Sequence, residues 1–311
     1  MTAVHTLRSF AKTLLKASGL EVHRLPHGLF GTGIPCPWNP SLGPWGLGYQ
    51  DAKFKFINAT LADLTTMLIF KSGSKLPQGF GVSFDERCVE YAWTFSHLEP
   101  EVSESVLDAG SALNHASIVE EPVLRNKALH ILTLAPEGNC FWSRGISYIY
   151  ADLRSIPVRD AFYDTVICIS TLEHVGCDNS KITGKEAHRA QGPDDYLTAI
   201  REMRRVLRPG GTLFLTVPFG VRRHFGTFRQ FDEPLLSTVI EAFGPHCLVQ
   251  NFYKYSADGW NTATASDCSA CEYVDWVATV WQGRPWPELK PIEPDGAAAA
   301  RAVACLLLVK H

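Results

Sequence analysis

The chain has 311 residues, 46% of them hydrophobic and 20% charged, with a formal net charge of −3. That is enough for one large domain with a real core, and it offers no global positive field of the kind that draws a protein onto nucleic acid. No run of about 18 apolar residues is present to span a membrane.

The nine cysteines are scattered, several inside apolar runs such as those around Cys168 and Cys305. This is the pattern of reduced, buried thiols in a cytoplasmic protein rather than of a disulfide framework. Residues 1–18 alternate basic and apolar positions, unlike a secretory signal.

In chain order, residues 5–19 read as a short amphipathic helix, with Leu7, Phe10, Leu14 and Leu15 opposite Arg8, Lys12 and Lys16. Such a basic helix can rest on the inner face of an anionic membrane or simply pack on its own domain. Residues 25–51, rich in Pro, Gly and Trp, predict a loop. Helical patterns follow over 58–70 and 83–98.

From residue 104 onward, strands alternate with helices. Apolar runs at 105–107, 129–134, 146–150, 164–170, 212–217, about 247–253 and 302–309 predict seven strands, and Asp194–Leu207 is the clearest helix. Strands that are apolar at consecutive positions indicate a sheet buried on both faces, so the fold class is α/β, a doubly wound, mostly parallel sheet. Residues 258–300, with Trp260, Trp276, Trp281 and Trp286, read as an insertion between the last two strands.

Three motifs carry chemistry. Val106–Ser111 is an apolar strand ending in Asp108-Ala109-Gly110, a carboxylate and a bare turn at the sheet edge where ligands of such folds bind. Asp152-Leu153 closes the third strand, placing a carboxylate and a backbone N–H where an adenine edge could pair. Arg201–Gly211 is a helix ending in Pro209-Gly210-Gly211 before the next strand.

Taken together, residues 104–220 resemble the class I S-adenosylmethionine-dependent methyltransferases, a Rossmann-like fold. The match is to the group whose core reads D-x-x-x-x-P, F-D-x-V, L-E-H-V and L-x-P-G-G, here Asp152–Pro157, Tyr163–Val166, Leu172–Val175 and Leu207–Gly211. The flanks also resemble methyltransferases of bacterial glycan-assembly clusters, through Gly19–Pro26, Glu90–Trp93 and the stretches Val217–Gly220 and Arg229–Asp232.

The resemblance implies S-adenosylmethionine as cofactor. Asp108, Gly110 and Ser111 would hold its methionyl end, Thr133 would stand at the ribose, Asp152 and Leu153 would read the adenine, and Ser170 and Thr171 would border the methyl group. Two positions depart from the family. The first loop reads Gly110-Ser111-Ala112 rather than Gly-x-Gly, and Thr133 stands where an acid usually binds the ribose, with Glu137 available one turn later.

Candidate bases toward the acceptor are His174, then His224 and Asp232; each could equally be a cap or a solvated loop residue. Arg222, Arg223 and Arg229 could clamp a phosphate or lie in a solvated loop, and Cys268-Ser269-Ala270-Cys271 lacks the second pair a zinc site requires, so no metal is expected.

The expected organisation is an N-terminal extension or lid over 1–100 and a methyltransferase domain over 101–311. The expected activity is O-methylation of a small-molecule or sugar- or lipid-linked acceptor. The rivals are a non-catalytic binding or scaffold protein on the same fold, and a nicotinamide-dependent oxidoreductase, against which Asp108 would repel a pyrophosphate.

Overall fold

The computed structural model describes residues 38–40, 43–99, 104–189, 192–275 and 293–311. The helix expected over 5–19, and Trp276, Trp281 and Trp286, lie outside the described residues. Among the described residues, α1 (Tyr49–Ala62), α2 (Leu64–Ser72) and α3 (Arg87–Ser96) precede the sheet. They are followed by β1 (Ser105–Ala109), β2 (Ala128–Thr133), β3 (Ser147–Tyr150) and β4 (Tyr163–Ile169). Helix α4 (Asp195–Val206) leads into β5 (Leu207–Pro218), and a small hairpin, β6 (Arg223–His224) with β7 (Arg229–Gln230), precedes α5 (Glu233–Phe243). The chain ends with β8 (His246–Ser256), β9 (Gly259–Ala263) and β10 (Ala302–Lys310).

The main sheet runs β3-β2-β1-β4-β5-β10-β8-β9. Pairings among β1 to β5 are parallel, and those of β10 with β5 and β8, and of β8 with β9, are antiparallel. The sheet therefore has eight strands, not the seven expected. The additional one, β9, forms an edge hairpin with β8 inside the stretch read as an insertion, and its Trp260 is buried with Nε1 donating to Phe84 O (3.0 Å). The loop expected through residue 51 ends sooner, because Tyr49 already begins α1.

Period-two geometry explains the unbroken apolar runs. Along β4, Val166 and Cys168 enter one core while Ile167 and Ile169 enter the other. Along β10, Ala302, Ala304, Leu306 and Leu308 face the first core, and Val303 and Cys305 the second. Helix α4 covers the first face with Tyr196, Ala199, Ile200, Met203 and Val206, spaced three or four apart. Its arginines face outward: Arg205 pairs with Glu202 and Asp160, and Arg204 donates to Pro245 O and His311 O.

The Pro209-Gly210-Gly211 segment does not separate helix from strand as a free turn. Helix α4 ends at Val206, β5 begins at once, and Arg208–Gly211 bulge out of it, since Tyr163 pairs with Leu207 and Thr165 with Thr212.

Residues ahead of the sheet are part of its core. Nearly all of α3 is buried, and Trp93, at 0% exposure, meets Phe214 of β5 edge-on and donates to Asn251 Oδ1 on β8 (2.9 Å). Lys53 of α1, itself buried, pairs with Asp85 (2.7 Å), which also accepts from Tyr49. Residues 49–98 therefore share a hydrophobic core with the sheet rather than hanging over it. Among the described residues, no helix is long and apolar enough to cross a membrane.

Because Trp93 fills the space between α3 and the sheet, Trp93→Ala is expected to lower the free energy of unfolding in urea by about 3–5 kcal/mol. A loss below about 1 kcal/mol would make α3 a detachable cover.

Candidate active site

In this strand order the direction of winding reverses between β1 and β4, and their carboxyl ends diverge into a crevice. One cleft of about 330 Å³ opens there, lined on one side by Gly110, Thr133, Glu137, Asp152, Leu153, Ser170 and Thr171, and on the other by His174, Cys177, Asn179, Thr183 and His188.

At the tip of β1, Gly110 is required. Its φ is +123°, and a Cβ there would lie 2.1 Å from Thr171 Oγ1. The two strand tips thus touch across the crevice. Asp108 is fully buried and does not line the cleft. Its carboxylate accepts from the backbone N–H of Ala112 (3.1 Å) and Leu113 (2.7 Å), so the loop after β1 is wrapped around it. Burial pushes the Asp108 carboxyl up to about 8 against these two amide donors. The expectation that Asp108 contacts a ligand is corrected accordingly: its side chain braces the loop. Ser111, at φ +67°, also stands behind the lining, donating to Glu137 Oε2 (2.8 Å).

Glu137 is the carboxylate at the end of β2. It accepts from Ser111, from Asn114 Nδ2 (2.9 Å) and from Thr133 Oγ1 (3.1 Å). Asn114 is oriented in turn by Tyr148, whose hydroxyl donates to its Oδ1 (3.0 Å). At β3, Asp152 is gripped by Arg154, with Nε on Oδ1 (2.9 Å) and Nη2 on Oδ2 (2.6 Å), while Nη1 reaches Asp195 at the start of α4 (2.5 Å). Burial pushes the Asp152 carboxyl up, but the hydrogen bonds and charge of Arg154 outweigh it and hold the group below its ordinary value.

Beyond β4, Ser170 adopts φ +38° and its N–H donates to Thr216 O (3.1 Å). Its hydroxyl donates to Glu90 Oε1 (2.6 Å), which also accepts from Thr216 Oγ1 (2.7 Å), while Arg87 pairs with the other oxygen. Glu90, from α3, is thus the buried anchor of the β4 and β5 tips. Sequence reasoning missed this role, since 80 residues separate Glu90 from Ser170.

His174 is fixed in one tautomer: Nδ1 lies 2.9 Å from Thr227 O, which can only accept, so Nδ1 carries the hydrogen and Nε2 a bare lone pair. Burial pushes its pKa down to about 4; the bond to Thr227 opposes the shift and the charges of Arg87 and Arg229 add to it. Next to it, burial pushes Glu173 up to about 8, and among the described residues its Oε2 has no hydrogen-bond partner.

The other candidates lie elsewhere. Asp232 caps α5, accepting from Leu235 N (3.0 Å), and holds Arg222 through both oxygens. His224 sits exposed on the β6–β7 hairpin and accepts from Gly226 N (3.0 Å). Arg229 is buried and turned onto backbone carbonyls, and Arg223 stacks on Phe225, so the three arginines form no clamp. Cys268 and Cys271 are buried free thiols, and among the described residues no group of three or more His, Cys, Asp or Glu is placed to hold a metal ion.

Residues 131–215, from β2 to β5, match the family described as a methyltransferase domain. That stretch of the chain is a methyltransferase domain. Comparison with curated proteins finds no match. Among solved structures, the methyltransferase is similar to the Burkholderia thailandensis 1,6-didemethyltoxoflavin-N1-methyltransferase (14% identity, 92% of this chain, 99% of that one, TM-score 0.40). It is also similar to the N-methyltransferase NodS of Bradyrhizobium japonicum (15%, 67% and 86%, 0.37) and to the YcgJ protein of Bacillus subtilis (12%, 69% and 94%, 0.40). Likenesses this distant say nothing of substrate.

The residues present suit S-adenosylmethionine. The cleft presents a bare glycine at β1 and acids at the ends of β2 and β3, with hydroxyls at β4. Asp108, in contrast, is spent on its own loop.

Gly110→Ala is expected to destabilise the methyltransferase by more than about 1 kcal/mol, read by thermal or urea unfolding, because neither the backbone angle nor Thr171 accommodates a methyl group. In a proton NMR titration, His174 is expected to stay neutral from pH 8 down to pH 5 and to titrate near 4. A midpoint near 6.5 would contradict the environment described.

Proposed function

We propose that this methyltransferase methylates an oxygen of a small, hydroxylated, glycan-like acceptor. The single observation that carries the reading is the composition of this cleft. Two carboxylates sit at the neighbouring ends of β2 and β3, and beyond the β4 hydroxyls stands a neutral imidazole with a bare Nε2.

S-adenosylmethionine, when bound, supplies a methyl group already activated on a sulfonium. Glu137, displaced by one turn from the usual acid, is the group to accept the ribose hydroxyls, with Thr133 beside it. Its three donors leave it lone pairs to spare and hold it still. Asp152 and the Leu153 backbone take the adenine edge, and Gly110 gives the methionyl end room against β1. Ser170 and Thr171 stand beside the methyl group. His174 Nε2 receives the acceptor's hydrogen.

A base with a pKa of about 4 cannot strip an ammonium at neutral pH, which disfavours a protonated amine as acceptor. It suffices for a hydroxyl, whose proton becomes strongly acidic only as the new carbon–oxygen bond forms, so that positioning and exclusion of water supply most of the rate.

Titration calorimetry on the full chain tests the cofactor side of the reading. Glu137→Ala is expected to weaken S-adenosylhomocysteine binding by about 10-fold or more, and Thr133→Val by less than about 3-fold. Asp232→Ala is expected to leave binding unchanged while costing about 1 kcal/mol of stability through its lost cap. Incubation with methyl-labelled cofactor and a panel of sugars and sugar nucleotides tests the acceptor side. Label found on nitrogen, or no S-adenosylhomocysteine released with any acceptor although the cofactor binds, would contradict it.

A further inference from the structure

Between β4 and α4 the chain leaves the cleft wall at Val175 and returns at Pro193. One buried guanidinium pins both ends, Arg229 donating to Val175 O (2.7 Å) and to Pro193 O (2.7 Å). Gly176 backs directly onto Gly192, where an added Cβ would lie 2.4 Å from the carbonyl oxygen. The described residues that follow Val175, 176–189 and 192, thus belong to a surface loop whose two ends meet. Asn179 knots it internally: Nδ2 donates to His174 O (2.9 Å) and Cys177 O (3.2 Å), and its N–H donates to His188 O (2.8 Å). The far side of the loop brings His188 into the cleft lining, near enough to Asp152 for the two to interact electrostatically.

The tautomer of His188 is settled by its partners. Thr183 Oγ1 donates to Asn179 O (3.0 Å), so toward His188 Nδ1 (2.8 Å) it can only accept. Nδ1 carries the hydrogen, so in the neutral ring Nε2, which has no partner among the described residues, keeps its lone pair on a residue that lines the cleft.

Acceptor capacity at this end is nearly exhausted. Asp152 Oδ1 already takes Arg154 N (2.8 Å) and Arg154 Nε (2.9 Å), and Oδ2 takes Arg154 Nη2 (2.6 Å). One lone pair is left, enough for one hydrogen of an exocyclic amino group that carries two. Thr183 accepts from His188 and from Lys185 N (3.4 Å), and the arginine side chains only donate. Two side-chain acceptors of this loop have no partner among the described residues, Asn179 Oδ1 and His188 Nε2, and of the two residues His188 is the one close enough to act on the Asp152 carboxyl.

We propose that His188, delivered by this loop and held in its tautomer by Thr183, takes the second hydrogen of the adenine amino group and so fixes specificity for an adenine nucleoside. The proposal rests on the cofactor reading of the cleft given above. A nucleoside with a carbonyl at that position would set oxygen lone pairs against both Asp152 and Nε2, so the same pair of acceptors also rejects the wrong base. Thr183 acts only through His188, as a positioning residue.

The test is calorimetry on the full chain with S-adenosylhomocysteine and with S-inosylhomocysteine, which differ at the amino position and at N1, where the inosyl ring carries a hydrogen. The change on mutating His188, and not the wild-type preference, therefore isolates the contact. The wild type is expected to prefer the adenosyl ligand by about 100-fold or more. His188→Ala should cut that preference by about 10-fold, by weakening the adenosyl ligand while sparing the inosyl one. His188→Gln, which restores an acceptor oxygen, should recover part of it, and Thr183→Val should lose part. Nitrogen-15 correlation spectra of the wild type should show the Nδ1–H form of His188.

An unchanged preference in both His188 variants, or an Nε2–H tautomer in the wild type, would overturn the proposal while leaving the cofactor reading intact. Failure of the wild type to bind S-adenosylhomocysteine at about millimolar concentration would remove the cofactor reading, and this proposal with it.

Discussion

The hydrogen bonds that converge on Glu90 hold the carboxyl edge of the sheet in the shape the cleft requires. A carboxylate enclosed in an apolar core costs several kcal/mol unless it is paired and hydrogen-bonded, and here Arg87, Ser170 and Thr216 satisfy it. In return it fixes Ser170 in a left-handed conformation that a side chain rarely adopts. That conformation turns the chain so that Thr171 lies against Gly110. Helix α3, far upstream in sequence, is in this way a structural part of the site.

Four acids near the strand tips divide by where water and ligand can reach them. Glu90 and Asp108 face inward and hold backbone or hydroxyl donors, so they shape loops. Glu137 and Asp152 face the cleft, each immobilised by donors that leave part of its accepting capacity open. The carboxylates that line the cleft thus stand at the β2 and β3 ends, while His174, which also lines it, is neutral. This separation follows from burial. The same desolvation that raises the Asp108 and Glu173 carboxyls lowers the His174 imidazole, because in each case the charged form is the one disfavoured.

Much of the sheet was legible in the sequence because a strand buried on both faces leaves an unbroken apolar run, as in Val166–Ile169. Strand β9 was not, since Gly259–Ala263 is short, carries the polar Asn261 and Thr262 side by side, and is paired on one side only. The start of α1 was hidden by the Pro- and Gly-rich stretch before it. Within the site, motif spacing placed Gly110, Asp152, Ser170, Thr171 and His174 on one cleft. It misjudged Asp108, because a carboxylate that accepts from its own loop and one that waits for a ligand look alike in a row of letters. Glu90 entered only within the flanking stretch Glu90–Trp93, with no role attached, and His188 carried no local signal. Their roles come from contacts across the fold, or from a hydrogen-bond count that needs every neighbour in place.

The account stands most directly on a crystal structure of the full chain with S-adenosylhomocysteine. It predicts the nucleoside in the cleft between Gly110, Glu137 and Asp152, with its sulfur toward His174 and with Asp108 still bound to the Ala112 and Leu113 amides. A ligand seated elsewhere, or an Asp108 side chain swung out to meet it, would contradict the division between bracing and binding acids.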